Sequence, residues 1–305
     1  MRSEAAPARD VCADLMAISG GKNDPRRKRL RRLRPYIQKR FETYWLNRAA
    51  LETIPRRTWN KVADDAMEHC YTGGTAARTT MLTALLEQIQ PDPNLCPYCL
   101  LRQPTSLDHF LPKDHFPEFS VLAWNLVYVC DPCNRKKGNR FVGAPREVIN
   151  PYFDTLPNTA LLHADAELTG RGIRIRFRID SADPAIPPAT VALVRRHYQA
   201  LALEKEYLRE GAAVVADLVN AITSQYLVAI DQGQLDRAID NRMREWGNYP
   251  VNSFRLAVIE ALETCAGLLD YINGRIATVP RPPRGRPLRD LAALRAAAAA
   301  RAAAL

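Results

Sequence analysis

Long apolar runs are missing from this 305-residue chain. Without 18 consecutive apolar residues a membrane-spanning helix is excluded, and the first residues lack the apolar core of a secretory leader, so the expectation is a cytoplasmic protein. The phosphate-loop pattern GxxxxGK[ST] is also absent, so any ATP-driven step has to come from a partner. Acidic residues fall short of basic ones, 33 against 43, leaving a net charge of +10 and a pI near 9.4. That imbalance points to a polyanionic partner, because Lys and Arg gain affinity for nucleic acid by releasing condensed counterions. An anionic membrane surface would meet the same charge, but no apolar segment accompanies it. Cysteine is not dense enough for a disulfide scaffold: of seven, Cys12, Cys70 and Cys265 lie far apart and read as reduced. With 47% hydrophobic and 25% charged residues, the composition is that of a soluble globular protein with room for one large or two ordinary domains.

What is present centres on residues 96–139, CPYCLLRQPTSLDHFLPKDHFPEFSVLAWNLVYVCDPCNRKKGN. Two CxxC pairs, Cys96/Cys99 and Cys130/Cys133, bracket this stretch. Each pair can wrap a turn that aims both sulfurs at one tetrahedral zinc, with no open position for chemistry. Such an ion staples a unit too small to hold its shape by burial alone. Inside the staple, Asp108 and His109 are adjacent. On an extended strand they point to opposite faces, and a bend would let the carboxylate hold a cation while the imidazole meets a water. Asn134-Arg135-Lys136-Lys137 opens a polar, basic run able to start a helix, which ligation of Cys130 and Cys133 would fold back beside Asp108. Magnesium needs only one or two such oxygen ligands, water and phosphate filling the rest. In outline this is a phosphodiester-hydrolysis site.

These residues resemble the HNH endonuclease family, with its ββα-metal motif, in the form that carries two zinc-binding CxxC pairs. The pattern of Asp-His followed by Pro is read at Asp108, His109 and Pro112, the central Asn at Asn125, the last position at Asn134 and the trailing Lys at Lys137. The resemblance covers about residues 92–154. It implies that His109 is the general base, that Asp108 and Asn134 bind a catalytic Mg²⁺ or Mn²⁺, and that Asn125 braces the loop carrying the base. It also implies that Lys137 contacts phosphate or the metal's surroundings, with Arg135 and Lys136 as further phosphate contacts, while Cys96, Cys99, Cys130 and Cys133 hold a structural Zn²⁺. Asn replaces His at the last position, a variant also found in active members. Similar proteins include nuclease subunits of anti-phage systems such as Septu and some retrons, which work beside an ATPase. DNA is the implied substrate, with RNA kept as an alternative, and a double-strand break from one site per chain would call for a homo-oligomer or two successive nicks.

Around this unit the chain reads as α+β: a mostly helical protein with an embedded zinc-stapled ββα unit and a short β-hairpin. Residues 1–90 form a basic arm and helical region, 91–155 the nuclease unit, 156–180 the hairpin, 181–279 a helical region, and 280–305 a Pro/Arg linker with an Ala-rich tail. Residues 26–34 hold six arginines and a lysine and suit a phosphate-contacting arm or a solvated helix face. The helix over 35–50 sets Ile37, Phe41, Tyr44 and Trp45 on one face, as core and not as base-stacking platforms. Further helices are expected near 57–70 and 76–90. In the hairpin, Ile173, Ile175, Phe177 and Ile179 alternate with Arg174, Arg176 and Arg178, a half-buried strand whose arginine face either deters edge pairing or contacts DNA. A long periodic stretch from Thr190 to Asp231 breaks near Gly211, and another helix starts at Ser253 and runs through Leu268. The bland alternative is a zinc knuckle or ribbon that binds nucleic acid or a partner without catalysis. His115 belongs to no motif position, and His163 and His197 lack ligand-spaced neighbours.

Overall fold

The computed structural model describes residues 1–88, 94–139 and 145–278; the linker and tail read over 280–305 lie outside them. Helix α1 (Val11–Gly20) begins where the Asp10 carboxylate accepts from the amides of Cys12 and Ala13, the usual satisfaction of orphan donors at a helix start. Helix α2 (Asp24–Leu46) buries Leu30, Ile37, Phe41 and Tyr44. The basic run 26–34, read as an arm, is the first half of this helix, and Arg27, Arg31 and Arg32 face solvent. Leu30 extends the stripe of Ile37 and Phe41 back through the run, so the helix starts a full three turns earlier than the arm reading allowed. Pro35 interrupts only the exposed side, where water reaches the carbonyl left without a donor. Trp45, read as core, is 39% exposed and lies against Trp124 with ring centroids 4.6 Å apart.

Helices α3 (Lys61–Thr72) and α4 (Ala76–Gln88) complete the N-terminal part. An antiparallel pair follows, β1 (Ser106–His109) with β2 (Leu126–Val129), in which Ser106 faces Val129 and His109 faces Leu126. Helix α5 (Asp131–Lys137) comes directly after β2, so the order is strand, strand, helix. The second hairpin, β3 (Leu162–Thr169) with β4 (Gly172–Ile179), buries Ile175 and Ile179 against the helices. Its exposed Arg174 and Arg176 approach Glu167 at 3.9 and 3.5 Å, and Arg178 approaches Asp165 and Asp180 at 3.5 and 3.6 Å. The arginine face is thus matched by carboxylates of its own hairpin.

Five helices close the chain: α6 (Pro188–Ala200), α7 (Leu203–Gln225), α8 (Gln232–Glu245), α9 (Phe254–Glu263) and α10 (Leu268–Thr278). The break read near Gly211 falls instead at Ala202, whose φ is +47°. Gly211 is inside α7, where an added Cβ would lie 3.3 Å from Val258 and 3.4 Å from Phe177. Its missing side chain lets α7 close on α9 and β4, so glycine here marks packing and not a stop. Helix α8 starts with a reciprocal cap between Asp231 and Gln234. The helix read from Ser253 through Leu268 divides at Gly267, with φ +76°, into α9 and α10. The architecture is mixed helix and sheet, and among the described residues no helix is long and apolar enough to cross a membrane.

One buried ion pair ties α2 to the segment between β1 and β2. The Arg40 guanidinium donates to Glu118 at 2.8 Å, and the Trp59 indole donates to the other carboxylate oxygen at 3.1 Å. The Glu118 side chain is fully buried and that of Arg40 is 11% exposed, so removing one partner strands a charge in a low-dielectric interior. We expect Glu118→Ala to lower stability by about 3–5 kcal/mol, read as a shift of the urea midpoint at unchanged slope; a shift below about 1 kcal/mol would place this pair among the ordinary surface contacts.

Candidate metal centre and hydrolytic site

The CxxC at Cys96 sits in a tight turn: the Leu100 amide donates to the Cys96 carbonyl at 2.8 Å and the Cys96 amide to the Arg102 carbonyl at 2.7 Å. Leu100 takes φ +50°, a conformation that a branched residue adopts only when its surroundings enforce it. Two helices supply that enforcement. The Tyr207 hydroxyl of α7 donates to the Cys99 carbonyl at 2.7 Å, and His197 of α6 donates through Nε2 to the Tyr98 carbonyl at 2.9 Å while its Nδ1 accepts from the Ile149 amide at 3.1 Å. His197 is completely buried, and burial draws its pKa down to about 4, so it serves as a neutral strut. Neither residue carries a signal in sequence, since both sit in ordinary helical periodicity.

Cys130 is the N-cap of α5 and Cys133 lies in its first turn. The four sulfurs are buried and all lie within 4.8 Å of one another; Cys99 and Cys130 are 3.8 Å apart. Zinc–sulfur bonds of about 2.3 Å in a tetrahedron put sulfurs roughly 3.8 Å apart, so the group fits zinc. Burial also pushes the Cys96 thiol well above its ordinary range, and a cation is what would hold such a set as thiolates.

The four-sulfur group lies where β1, β2 and α5 come together, and with them the residues singled out between the two CxxC pairs. Asp108 is 3% exposed. Its Oδ2 accepts from the Tyr98 hydroxyl at 2.8 Å and its Oδ1 from the Lys137 ammonium at 2.9 Å. Lys137, read as a contact to phosphate or to the metal's surroundings, is completely buried, and it also donates to the His109 carbonyl at 2.9 Å. An interior ammonium needs a counter-ion, and Asp108 is the one within reach. Arg135 is exposed and paired with Asp131, while Lys136 approaches Glu206 at 3.5 Å. Asn134 donates through Nδ2 to Ser106 Oγ at 3.1 Å; its Oδ1 accepts no hydrogen bond among the described residues. Asp108 and Asn134 are hard oxygen donors of the kind Mg²⁺ and Mn²⁺ take, and Asp108 already carries one cationic group. A metal there would have to share or displace the Lys137 ammonium.

Asn125 is completely buried. Its Oδ1 accepts from the Leu111 amide at 2.7 Å, and its Nδ2 donates to the carbonyls of Leu111 at 3.0 Å and Phe119 at 3.3 Å. One side chain therefore holds both ends of the loop that follows His109. His109 itself is half-buried, with Nε2 2.9 Å from the Ser120 carbonyl. A carbonyl can only accept, so Nε2 carries the proton and Nδ1 keeps its lone pair. Ser120 is held in turn by donation from its hydroxyl to the Met67 carbonyl of α3 at 2.7 Å. Tyr71 of α3 meets the His109 ring edge-on, with centroids 4.4 Å apart. Burial draws the His109 pKa down to about 4, so the ring is neutral at pH 7. Tyr98, Ser120 and Tyr71 join this site without any sequence signal; the place of Tyr98 inside the first CxxC is telling only in retrospect. His115, near the same loop, donates its amide to the Pro112 carbonyl and adds nothing further to the group.

A buried four-sulfur group that can bind zinc, with an Asp-His pair on the hairpin it closes, defines the class of site. No family model matches the chain, and no solved structure matches it. Two curated proteins are similar over part of their length. The chain is 47% identical over 62 residues to protein ea31 of Escherichia phage lambda, covering 19% of this chain and 21% of that protein. It is 30% identical over 132 residues to Septu protein PtuB of Bacillus thuringiensis, covering 41% and 49%, a distant homology. The chain thus spans less than half the length of these relatives.

Zinc content should be one ion per chain by atomic emission, and Cys99→Ser should lose the ion and broaden thermal unfolding; an unchanged melt without zinc would overturn the staple. Lys137→Met should cost about 3–5 kcal/mol by stranding Asp108, and adding Asp108→Asn should recover part of that loss. Unchanged stability with weakened DNA binding would return Lys137 to the phosphate role.

Proposed function

We propose that this protein is an HNH-type endonuclease that hydrolyses DNA phosphodiester bonds and serves as the nuclease of an anti-phage defence system. The observation that carries the reading is the His109 tautomer: Nε2–H donates to the Ser120 carbonyl, leaving Nδ1 to accept a proton from an attacking water. Asn125 fixes the loop behind this base through Leu111 and Phe119, which is the kind of bracing that general-base geometry needs. A divalent Mg²⁺ or Mn²⁺, held by Asn134 and Asp108, would supply stabilisation of charge on the scissile phosphate. The net charge of +10 suits a polyanionic substrate. Similarity to Septu protein PtuB over 132 residues supports the defence role, and a partner ATPase is the class of protein that would gate it.

A second reading is favoured by one observation: both oxygens of the buried Asp108 are already engaged, by Lys137 and Tyr98. On that reading the chain is a zinc-dependent nucleic-acid-binding or adaptor protein without catalysis. Supercoiled plasmid incubated with the parent and with His109→Ala in Mg²⁺, Mn²⁺ or EDTA separates the two. The nuclease reading expects metal-dependent nicking by the parent and a loss of at least about a hundredfold in the variant, the usual scale for removing a general base. Equal cutting by both proteins would remove His109 from its role, and DNA binding without cleavage, in the presence of the partner as well, would favour the adaptor.

A further inference from the structure

The approach to His109 is bordered by cations that no carboxylate answers. Tyr71 lies edge-on against the His109 ring, and on the Tyr71 ring rests the Arg78 guanidinium, 5.1 Å from the centroid. Arg78 stands in the first turn of α4, a turn without an acidic residue, so its charge adds to the positive end of the helix instead of opposing it. Its Nε is buried without a hydrogen-bond partner, and Arg78 makes no ion pair among the described residues. Nearby, Lys22 is 6% exposed and donates only to neutral acceptors, the carbonyls of His69 and Gly73, each at 2.8 Å. Burial holds the Lys22 ammonium below its ordinary pKa, and the charges of Arg78 and Arg26 lower it further. Arg26, at the start of α2, likewise has no ion pair among the described residues. The same crowding reaches His69, whose imidazole is held down by burial and then by Arg26 and Lys22, and whose Nδ1 is buried without a partner.

Several cations elsewhere are answered by carboxylates. Arg174, Arg176 and Arg178 meet carboxylates across their hairpin, Arg40 meets Glu118 and Lys113 meets Asp114 at 3.0 Å. Three mutually repelling cations beside a helix N-terminus cost stability unless an anion joins them. A guanidinium offers the paired hydrogen bonds that phosphate oxygens accept.

We propose that Arg78 and Arg26, set in the positive field of the buried Lys22, form a phosphate-binding face for the DNA strand that His109 cuts, the strand crossing Tyr71 to reach the ring. This deepens the nuclease reading and rests on it. Phosphates recur about every 3.4 Å of axis along one strand, so a guanidinium one aromatic ring away from His109 meets a phosphate close to the scissile one. Arg78 and Arg26 are positioning residues here: they grip the backbone and leave the chemistry to His109.

The test measures binding of a short fluorescein-labelled DNA duplex by fluorescence anisotropy across a series of NaCl concentrations. The parent background carries His109→Ala, so that nothing is cut. Arg26→Gln/Arg78→Gln should weaken binding and flatten the slope of log affinity against log salt by about 2, since each phosphate left un-neutralised removes about 0.9. Arg174→Gln/Arg176→Gln, on the charge-matched hairpin, should leave that slope unchanged, and melting curves report that both variants are folded. An unchanged slope in Arg26→Gln/Arg78→Gln, with DNA still bound, would overturn this face while leaving the nuclease reading in place. Failure of the folded, zinc-loaded background protein to bind DNA at all would overturn both.

Discussion

Closure of the four sulfurs is the constraint from which the rest of the site follows. Cys96 and Cys99 precede β1, while Cys130 and Cys133 end β2 and begin α5, so bringing them within 4.8 Å sets the order and crossing of all three elements at once. The hairpin has four residues in each strand, too short to be stable unaided. With the sulfurs gathered, the Tyr98 hydroxyl falls on Asp108 and the last turn of α5 brings Lys137 to the same carboxylate. The C-terminal helices act on this centre from behind, through Tyr207 and His197, which hold the carbonyls of Cys99 and Tyr98. They bear no reactive group of the site, yet they keep Leu100 in its left-handed conformation and so keep the sulfurs aimed inward.

The N-terminal helices act on it from the other side. Arg40 and Trp59 hold Glu118, the Met67 carbonyl accepts from the Ser120 hydroxyl, and the Ser120 carbonyl accepts from His109 Nε2–H. This is a chain of short polar contacts that converts helix packing into the orientation of one imidazole. Buried polar groups of this kind specify geometry more than they add stability. The contrast with Lys22, Arg26 and Arg78 is electrostatic: Arg40 and Lys137 are neutralised inside the fold by Glu118 and Asp108, whereas these three make no ion pair among the described residues.

Much of this was legible because it is local. The paired CxxC spacing names a metal set without any fold, since two residues between cysteines is what a turn around one ion requires. Alternation marked β4, and amphipathic spacing marked α3, α4 and α9. The same local reading misplaced what depends on distant partners. It began a helix at Pro35, although the stripe of Leu30, Ile37 and Phe41 packs continuously on the N-terminal core; it also put a break at Gly211, where absence of a side chain serves the contact with Val258 and Phe177. For Lys137 the reading left phosphate and the metal's surroundings open, because sequence shows its charge and not its counter-ion.

By itself, then, the sequence determined the residue types that can bind zinc, accept a proton or carry charge, because those are properties of side chains and of short spacings. Only the tertiary structure decided which ring nitrogen of His109 is free, that Lys137 is turned inward on Asp108, that His197 and Tyr207 are struts, and that Arg78 stands one ring away from His109. Those outcomes rest on groups far apart in the chain meeting in a low-dielectric interior, where a single carbonyl or carboxylate settles the state of its neighbour. No periodicity along the chain encodes such meetings.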